Sequence, residues 1–168
     1  YVESITNPTL DVTCLKEAAE FAAANGLVSL IDNTFCSPVN FRPLDIGYDI
    51  ELHSATKYLN GHSDIVAGCA IGDTEMISRI TRRLNHLGGC LDPHACFLLH
   101  RGMKTLLLRV NRQNENGLAL AHHLNVHSGI DRVIYPGLDS HPDHDRATRL
   151  FSGFGGVLSF EVVGDTDT

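Results

Sequence analysis

The stretch LVSLIDNTF, Leu27 to Phe35, constrains the fold more than any other part of the chain. Leu27 to Asp32 is a near-continuous apolar run of strand length, and it turns polar abruptly at Asp32-Asn33-Thr34. A strand wetted on one face alternates; a strand covered on both faces does not. The run therefore reads as a buried parallel strand that ends in a carboxylate. A helix precedes it. Between Val12 and Asn25 the apolar residues Leu15, Ala18, Ala19, Ala22 and Ala23 recur at helical spacing, and Asn25-Gly26 is a stop signal. Helix alternating with buried strand calls for an α/β layer built on a parallel sheet. Ligands of such sheets bind beyond the carboxyl ends of the strands. Asn7, Asp32 and Lys57 all fall at or just past such ends.

The rest of the chain fits this frame. Residues 1–4 read as a short strand, and Pro8 in TNPT breaks regular structure. Residues 36–48 read as loop, Asp49 to His53 as a second strand, and Ile65 to Ile71 as a third apolar segment. Thr74 to Leu87 reads as a helix closed by Gly88-Gly89. Asp92-Pro93 is a helix start, with Asp as cap and Pro at the first helical position. The helical pattern runs to Gly102 and resumes from about Leu106 to Leu124, a length suited to spanning two domains. RVIYPG reads as strand and turn, Asp143 to Phe151 as helix, and Val157 to Val163 as a final strand.

Composition narrows the function. The 168 residues carry a formal net charge of −7. An acidic balance argues against nucleic acid or an anionic membrane surface as partner. No apolar run reaches membrane-spanning length, and no signal peptide is evident. Five cysteines, none in a C-x-x-C pair, read as free thiols in a reducing compartment. Ten histidines invite a metal reading, and His141-Pro-Asp-His144 has ligand-like spacing. Without an H-E-x-x-H string or paired cysteines, no metal is expected. Gly153-Phe-Gly155-Gly156 lacks the spacing of a phosphate loop and reads as the opening of a strand.

The chemistry concentrates in SATKYLNGHSD, Ser54 to Asp64. A nucleophilic lysine must be a neutral amine, which desolvation or a neighbouring cation can bring about. Lys57 sits among hydroxyls that can bind a phosphate, and Gly61 lets the backbone bend closely past a ligand. Asp32, ending a buried strand, is costly unless paired; read alone it is equally a cap or turn former. As the partner of a protonated pyridine it would keep that ring electron-poor. Lys57 and Asp32 together point to pyridoxal 5'-phosphate.

SATKYLNGHSD resembles the cofactor-lysine motif of the Cys/Met-metabolism family of pyridoxal-phosphate enzymes, which includes cystathionine γ-synthase and γ-lyase. YVESITNPT, LIDNTF, HRGMKTLLLRV, YPGLDSHPDH and GFGGVLSFEV agree with it. The resemblance implies a partial type I fold of pyridoxal-phosphate transferases, like that of aspartate aminotransferase. Residues 1–112 would be the latter part of a parallel-sheet cofactor domain with its bridging helix. Residues 113–168 would begin a smaller α/β C-terminal domain. Lys57 is then the Schiff-base lysine and proton shuttle, and Asp32 the partner of the pyridine nitrogen. Ser54 and Thr56 bind the phosphate, Thr34 lies against the ring, and Asn7 lies near the phenolic oxygen and the substrate carboxylate. Ile5 departs from the family, which often has proline there.

The resemblance further implies transsulfuration at Cγ of a sulfur amino acid: cystathionine, homocysteine, or an acylated homoserine with cysteine. Asn60 and Ser63 lean toward cystathionine γ-lyase or γ-synthase over methionine γ-lyase. A homotetramer in the full-length protein and a cytoplasmic location are expected, with organellar targeting left open. The chain opens on Tyr1, not Met. It is expected to be a central fragment, inactive alone because its substrate-clamping arginine and a phosphate loop lie elsewhere. The alternatives are a catalytically incomplete cofactor-binding piece or pseudo-subunit, a methionine γ-lyase if the protein is complete, and a histidine-rich metal module.

Overall fold

The computed structural model describes residues 1–164. Four strands form one sheet in the order β1 (Val2–Glu3), β2 (Leu30–Asp32), β3 (Ile50–Ser54) and β4 (Gly68–Gly72). β1, β2 and β3 run parallel, with Asp32 paired to Glu3 on one side and to Leu52 on the other. β4 runs antiparallel to β3, so the sheet is mixed where an all-parallel one was expected. The connection explains the difference. Parallel neighbours need a crossover, usually a helix, and residues 55–67 form only turns before the chain folds back.

Helix α1, Leu15–Ala24, is shorter than the sequence pattern indicates. Its exit is a Schellman motif: Leu27 N–H donates to the Ala22 carbonyl at 2.9 Å and Gly26 N–H to that of Ala23 at 3.2 Å, with Gly26 at φ +63°. That turn carries Leu27 and Val28 outward, 54% and 46% exposed, and delays β2 until Leu30. The expected loop 36–48 contains a one-turn helix, α2 (Ser37–Asn40), and a 3₁₀ turn, Pro43–Ile46.

Helix α3, Thr74–Leu87, and helix α4, Pro93–Met103, start as their caps dictate. The Asp73 carboxylate accepts from Met76 N–H, and that of Asp92 from His94 and Ala95 N–H. α4 breaks at Lys104-Thr105 before α5, Leu106–Asn125. β5 (Ile130–Ile134), α6 (His144–Leu150) and β6 (Ser159–Val162) follow, with β5 and β6 an antiparallel pair. No helix among the described residues is long and apolar enough to cross a membrane.

The main core joins Ile5, Leu10, Val12, Leu15, Ala19, Ile31 and Phe41 to Ala147 of α6 and to Phe151 just past its end. Phe41 and Phe151 meet edge-on, ring centroids 5.0 Å apart. Ile5, the departure from the family pattern, is 4% exposed and fills this core. A smaller cluster packs Ala121 of α5 under Val133, Tyr135 and Leu138.

One buried polar group stitches β2 to β3. Asn33 Nδ2 donates at 2.8 Å to both the Phe41 carbonyl and Glu51 Oε1, and Glu51 Oε1 lies 2.7 Å from His53 Nε2. Asn33→Ala should therefore lower unfolding stability by about 2 kcal/mol, because buried partners lose their bonds. An unchanged denaturation midpoint would show that the amide does not hold these strands. Cys36 lies fully buried beside this group, and burial pushes its thiol pKa up to about 12. At pH 8, alkylation of the native protein should leave Cys36 unmodified, and denaturant should expose it; native-state labelling at Cys36 counts against the packing described.

Candidate active site

The parallel register brings the carboxyl ends of β1, β2 and β3 to one edge. A cavity of about 200 Å³ opens there, lined by Glu3, Ile5, Asn7, Asp32, Thr34, Phe35, Ser54 and Lys57. Five of the six residues expected from sequence thus share one site. Asp32 is the last residue of β2, and its Oδ1 accepts from Thr34 N–H at 2.9 Å. Tyr1 OH donates to the other oxygen at 3.3 Å. Burial, and then the charge of Asp32, raise the Tyr1 phenol above its usual pKa. Thr34 locks the two strand ends together, its Oγ1 accepting from Ser54 N–H at 2.8 Å.

Lys57 projects from the turn that follows β3. The turn closes on itself: Lys57 N–H donates to the Ser54 carbonyl at 3.0 Å, Asn60 N–H to Ala55 at 3.0 Å, and Gly61 N–H to Lys57 at 2.8 Å. Gly61 adopts φ +69°, where glycine is favoured. Among the described residues, neither the Lys57 amine nor the Ser54 hydroxyl has a side-chain or backbone partner, and both face the cavity. Asn7 reaches it from the turn after β1, before a cis bond to Pro8.

Thr56 is the exception. Its hydroxyl donates to the Ala67 carbonyl at 3.2 Å and accepts from Ala67 N–H at 2.9 Å, so it ties the turn to the start of β4 and stays outside the cavity lining. His141 and His144, the pair with ligand-like spacing, lie far from Lys57 in sequence and are engaged elsewhere. His141 Nδ1 accepts from Asp143 N–H at 3.1 Å, while His144 turns to the Pro136 carbonyl and to Asp139.

Residues without an obvious sequence signal complete the site. Phe35 lies between this cavity and a second one of about 260 Å³, bounded also by Lys57, Tyr58, Gly61, Gln113, Gly156 and Val157. Tyr58 OH accepts from Gly156 N–H at 2.8 Å, and burial raises its pKa. The glycine-rich segment 153–156 thus packs on the lysine turn as well as leading toward β6. A side chain at Gly155 would press on the Phe35 carbonyl and the Tyr58 hydroxyl, each 3.0 Å from its Cβ. Only the close spacing of those glycines could have flagged this, and it names no partner.

The donor set tests the expected cofactor. An amine, a carboxylate at a strand end and a free hydroxyl converge on a cavity of single-ring size. These are the groups that an aldehyde, a ring N–H and a phosphate require. The residues fit pyridoxal phosphate.

Comparison with known proteins agrees. The family model for the Cys/Met metabolism PLP-dependent enzymes matches residues 1–168. Cystathionine gamma-synthase 1, chloroplastic, of Arabidopsis thaliana is 46% identical over 100% of this chain and 30% of its own length. Cystathionine gamma-lyase of Dictyostelium discoideum is 42% identical over 99% of this chain and 43% of its own. The chain therefore spans well under half of these relatives. Among solved structures, cystathionine gamma synthase from Xanthomonas oryzae pv. oryzae in complex with cystathionine superposes with a TM-score of 0.95 at 41% identity, covering 98% of this chain and 43% of that one. CalE6, a methionine gamma lyase from Micromonospora echinospora, gives 0.94 at 34% identity, covering 98% and 45%. With a type I fold, a cavity suited to pyridoxal phosphate and a family match along its full length, this chain belongs to the Cys/Met-metabolism family of PLP-dependent enzymes.

Proposed function

We propose that the protein to which this chain belongs is a transsulfuration enzyme acting at Cγ of sulfur amino acids, as a cystathionine γ-synthase or γ-lyase. The observation that carries this reading is the convergence of Lys57, Asp32, Thr34, Ser54 and Asn7 on one cavity at the sheet edge. Both a γ-synthase and a γ-lyase stand among its relatives at above 40% identity.

Bound pyridoxal phosphate supplies an electron sink for the charge left when a proton leaves the substrate carbon. The chain's own residues supply the rest. Lys57 would hold the cofactor through its ε-amine, and the same amine would take the α-proton of the substrate. Its flexible stem extends from a turn whose backbone is closed by its own hydrogen bonds, so the amine can swing to the β-carbon as well. That second proton transfer is what elimination or replacement at Cγ demands. Asp32 would hold the proton on the pyridine nitrogen, Thr34 and Phe35 would line the ring, Ser54 would donate to the phosphate, and Asn7 would serve the phenolic oxygen and the substrate carboxylate. Thr56 reaches the phosphate only by giving up its bond to the Ala67 carbonyl.

Synthase and lyase share this machinery up to the final step, in which either a thiol is captured or water completes breakdown. Asn60 and Ser63 of the lysine turn incline the reading toward these two activities over methionine γ-lyase. A homotetramer, a domain division near residue 112 and a cytoplasmic location belong to the same proposal; chloroplast targeting is the alternative for a plant-like form.

In the full-length protein, Lys57→Ala should remove borohydride fixation of the cofactor and reduce cystathionine turnover by about 10³-fold or more. Peptide mapping of the reduced wild type should place the cofactor on Lys57. Retention of both fixation and turnover in Lys57→Ala would sink the reading, and fixation at Lys57 without action on cystathionine would favour the binding-only alternative. Asp32→Asn should weaken cofactor binding by about tenfold or more, the scale of one charge-assisted hydrogen bond, and depress turnover further than binding. Equal activity in wild type and Asp32→Asn would remove Asp32 from the site.

A further inference from the structure

The guanidinium of Arg109 has an unusual set of partners. It lies half-buried in the first turn of α5, and burial lowers its pKa. Arg112 and Arg146 pair with carboxylates, but Arg109 forms no ion pair among the described residues. Its partners are neutral oxygens. Nη1 donates to the Tyr58 carbonyl at 2.8 Å, and Nη2 to the carbonyls of Leu59 at 3.3 Å and Gly102 at 3.0 Å. Nε donates to Thr105 Oγ1 at 3.0 Å.

These contacts join three pieces of chain. Tyr58 and Leu59 belong to the lysine turn, Gly102 to the last turn of α4, and Thr105 to the break before α5. Among the described residues, no backbone N–H takes the Tyr58 or Leu59 carbonyl. The turn closes its upstream half with its own bonds and leaves its downstream carbonyls to Arg109. Two glycines clear the space. A Cβ at Gly61 would lie 1.8 Å from Arg109 Nη1, and one at Gly102 would lie 2.4 Å from the Asn60 carbonyl oxygen. A planar fork satisfies oxygens in several directions at once, whereas a lysine ammonium presents one nitrogen.

We propose that Arg109 is a positioning residue for Lys57: its fork fixes the lysine turn against the α4–α5 elbow and so sets where the ε-amine stands over the cavity. The proposal rests on the reading of Lys57 as the cofactor amine. Among the described residues the Lys57 side chain makes no bond of its own, so the backbone on either side is what aims it. Ser54 N–H, bonded to Thr34, holds the upstream side. Arg109 holds the downstream side, one residue beyond Lys57.

The test uses Arg109→Lys, Arg109→Gln and Thr105→Val in the full-length protein. Hydrogen exchange is measured without cofactor, and affinity is measured by titration with pyridoxal phosphate. Arg109→Lys and Arg109→Gln should each weaken cofactor affinity by about tenfold, equivalent to ~1.4 kcal/mol. Amide exchange at Lys57, Asn60 and Gly61 should quicken while Asn33 N–H, bonded across to Leu52, stays as protected as in wild type. Thr105→Val, which removes the Nε acceptor and the hydroxyl's own 3.2 Å bond to the Gly102 carbonyl but leaves the guanidinium in place, should shift both readouts in the same direction by about threefold. Wild-type affinity and exchange in Arg109→Lys would overturn the proposal, since charge alone would then suffice. Faster exchange at Asn33 together with the turn would also overturn it, since the effect would be general loosening. Borohydride mapping keeps the two readings apart. If the cofactor is not fixed at Lys57 in the wild type, the cofactor-amine reading fails; if it is fixed there and Arg109→Lys is unchanged, only the positioning role fails.

Discussion

The site depends on the parallel pairing of β2 with β3. Pairing Asp32 with Leu52 sets Asn33 N–H onto the Leu52 carbonyl at 2.8 Å and brings Thr34 Oγ1 within reach of Ser54 N–H. Slip that register by one residue and every side chain changes face. Asp32 would then leave the cavity, and the lysine turn would start from the wrong side of the sheet. The buried bond from Asn33 to Glu51 resists such a slip, because moving it strands two polar groups in the core. A side chain that makes no contact with the cavity thus fixes the geometry of those that do.

What was legible in the sequence follows from how local each signal is. The Asn25-Gly26 stop and the Asp92 cap depend on neighbours a few residues away, and the corresponding ends form there. That Asn7, Asp32 and Lys57 fall at one edge was legible because a strand end places polar residues there without further folding, whereas Thr34 entered only through the family resemblance. The extent of β2 was not. Leu27 and Val28 are as apolar as Leu30 and Ile31, and it is the Schellman exit of α1 that turns them outward. The direction of β4 was hidden for a similar reason, since Ile65 to Ile71 is equally apolar whichever way it runs. Thr56 shows the same limit within the site. Its type suits a phosphate, but a partner eleven residues away, Ala67, takes its hydroxyl in this structure.

The second half of the chain enters the site through backbone groups more than through charges. Asn114 of α5 exchanges amide bonds with Asn40 at 2.9 and 2.8 Å and accepts from Gly155 N–H at 2.8 Å. Gly156 donates to Tyr58, and Arg109 takes the carbonyls beyond it. Each of these contacts involves residues far apart in sequence, and most engage peptide groups that every residue carries. Residue type says little about such partners. The lysine turn is therefore gripped from two sides, by Gly156 and by Arg109, groups whose identity, taken one at a time, looks ordinary.

The two acids of adjacent strands show why placement decides chemistry more than burial does. Glu51 is 4% exposed, and its Oε1 is engaged by both Asn33 and His53. Nothing approaching from solvent can reach that oxygen without first breaking the core. Asp32 is less buried, yet it ends its strand, and its two nearest donors are a peptide N–H at 2.9 Å and a phenol at 3.3 Å. The peptide bond orients the carboxylate, and the longer, weaker phenol contact is one that a ligand can displace. A carboxylate oriented on one side and displaceable on the other suits a partner that arrives with its own positive charge. The deeper acid, with its partners already in place, serves the sheet instead.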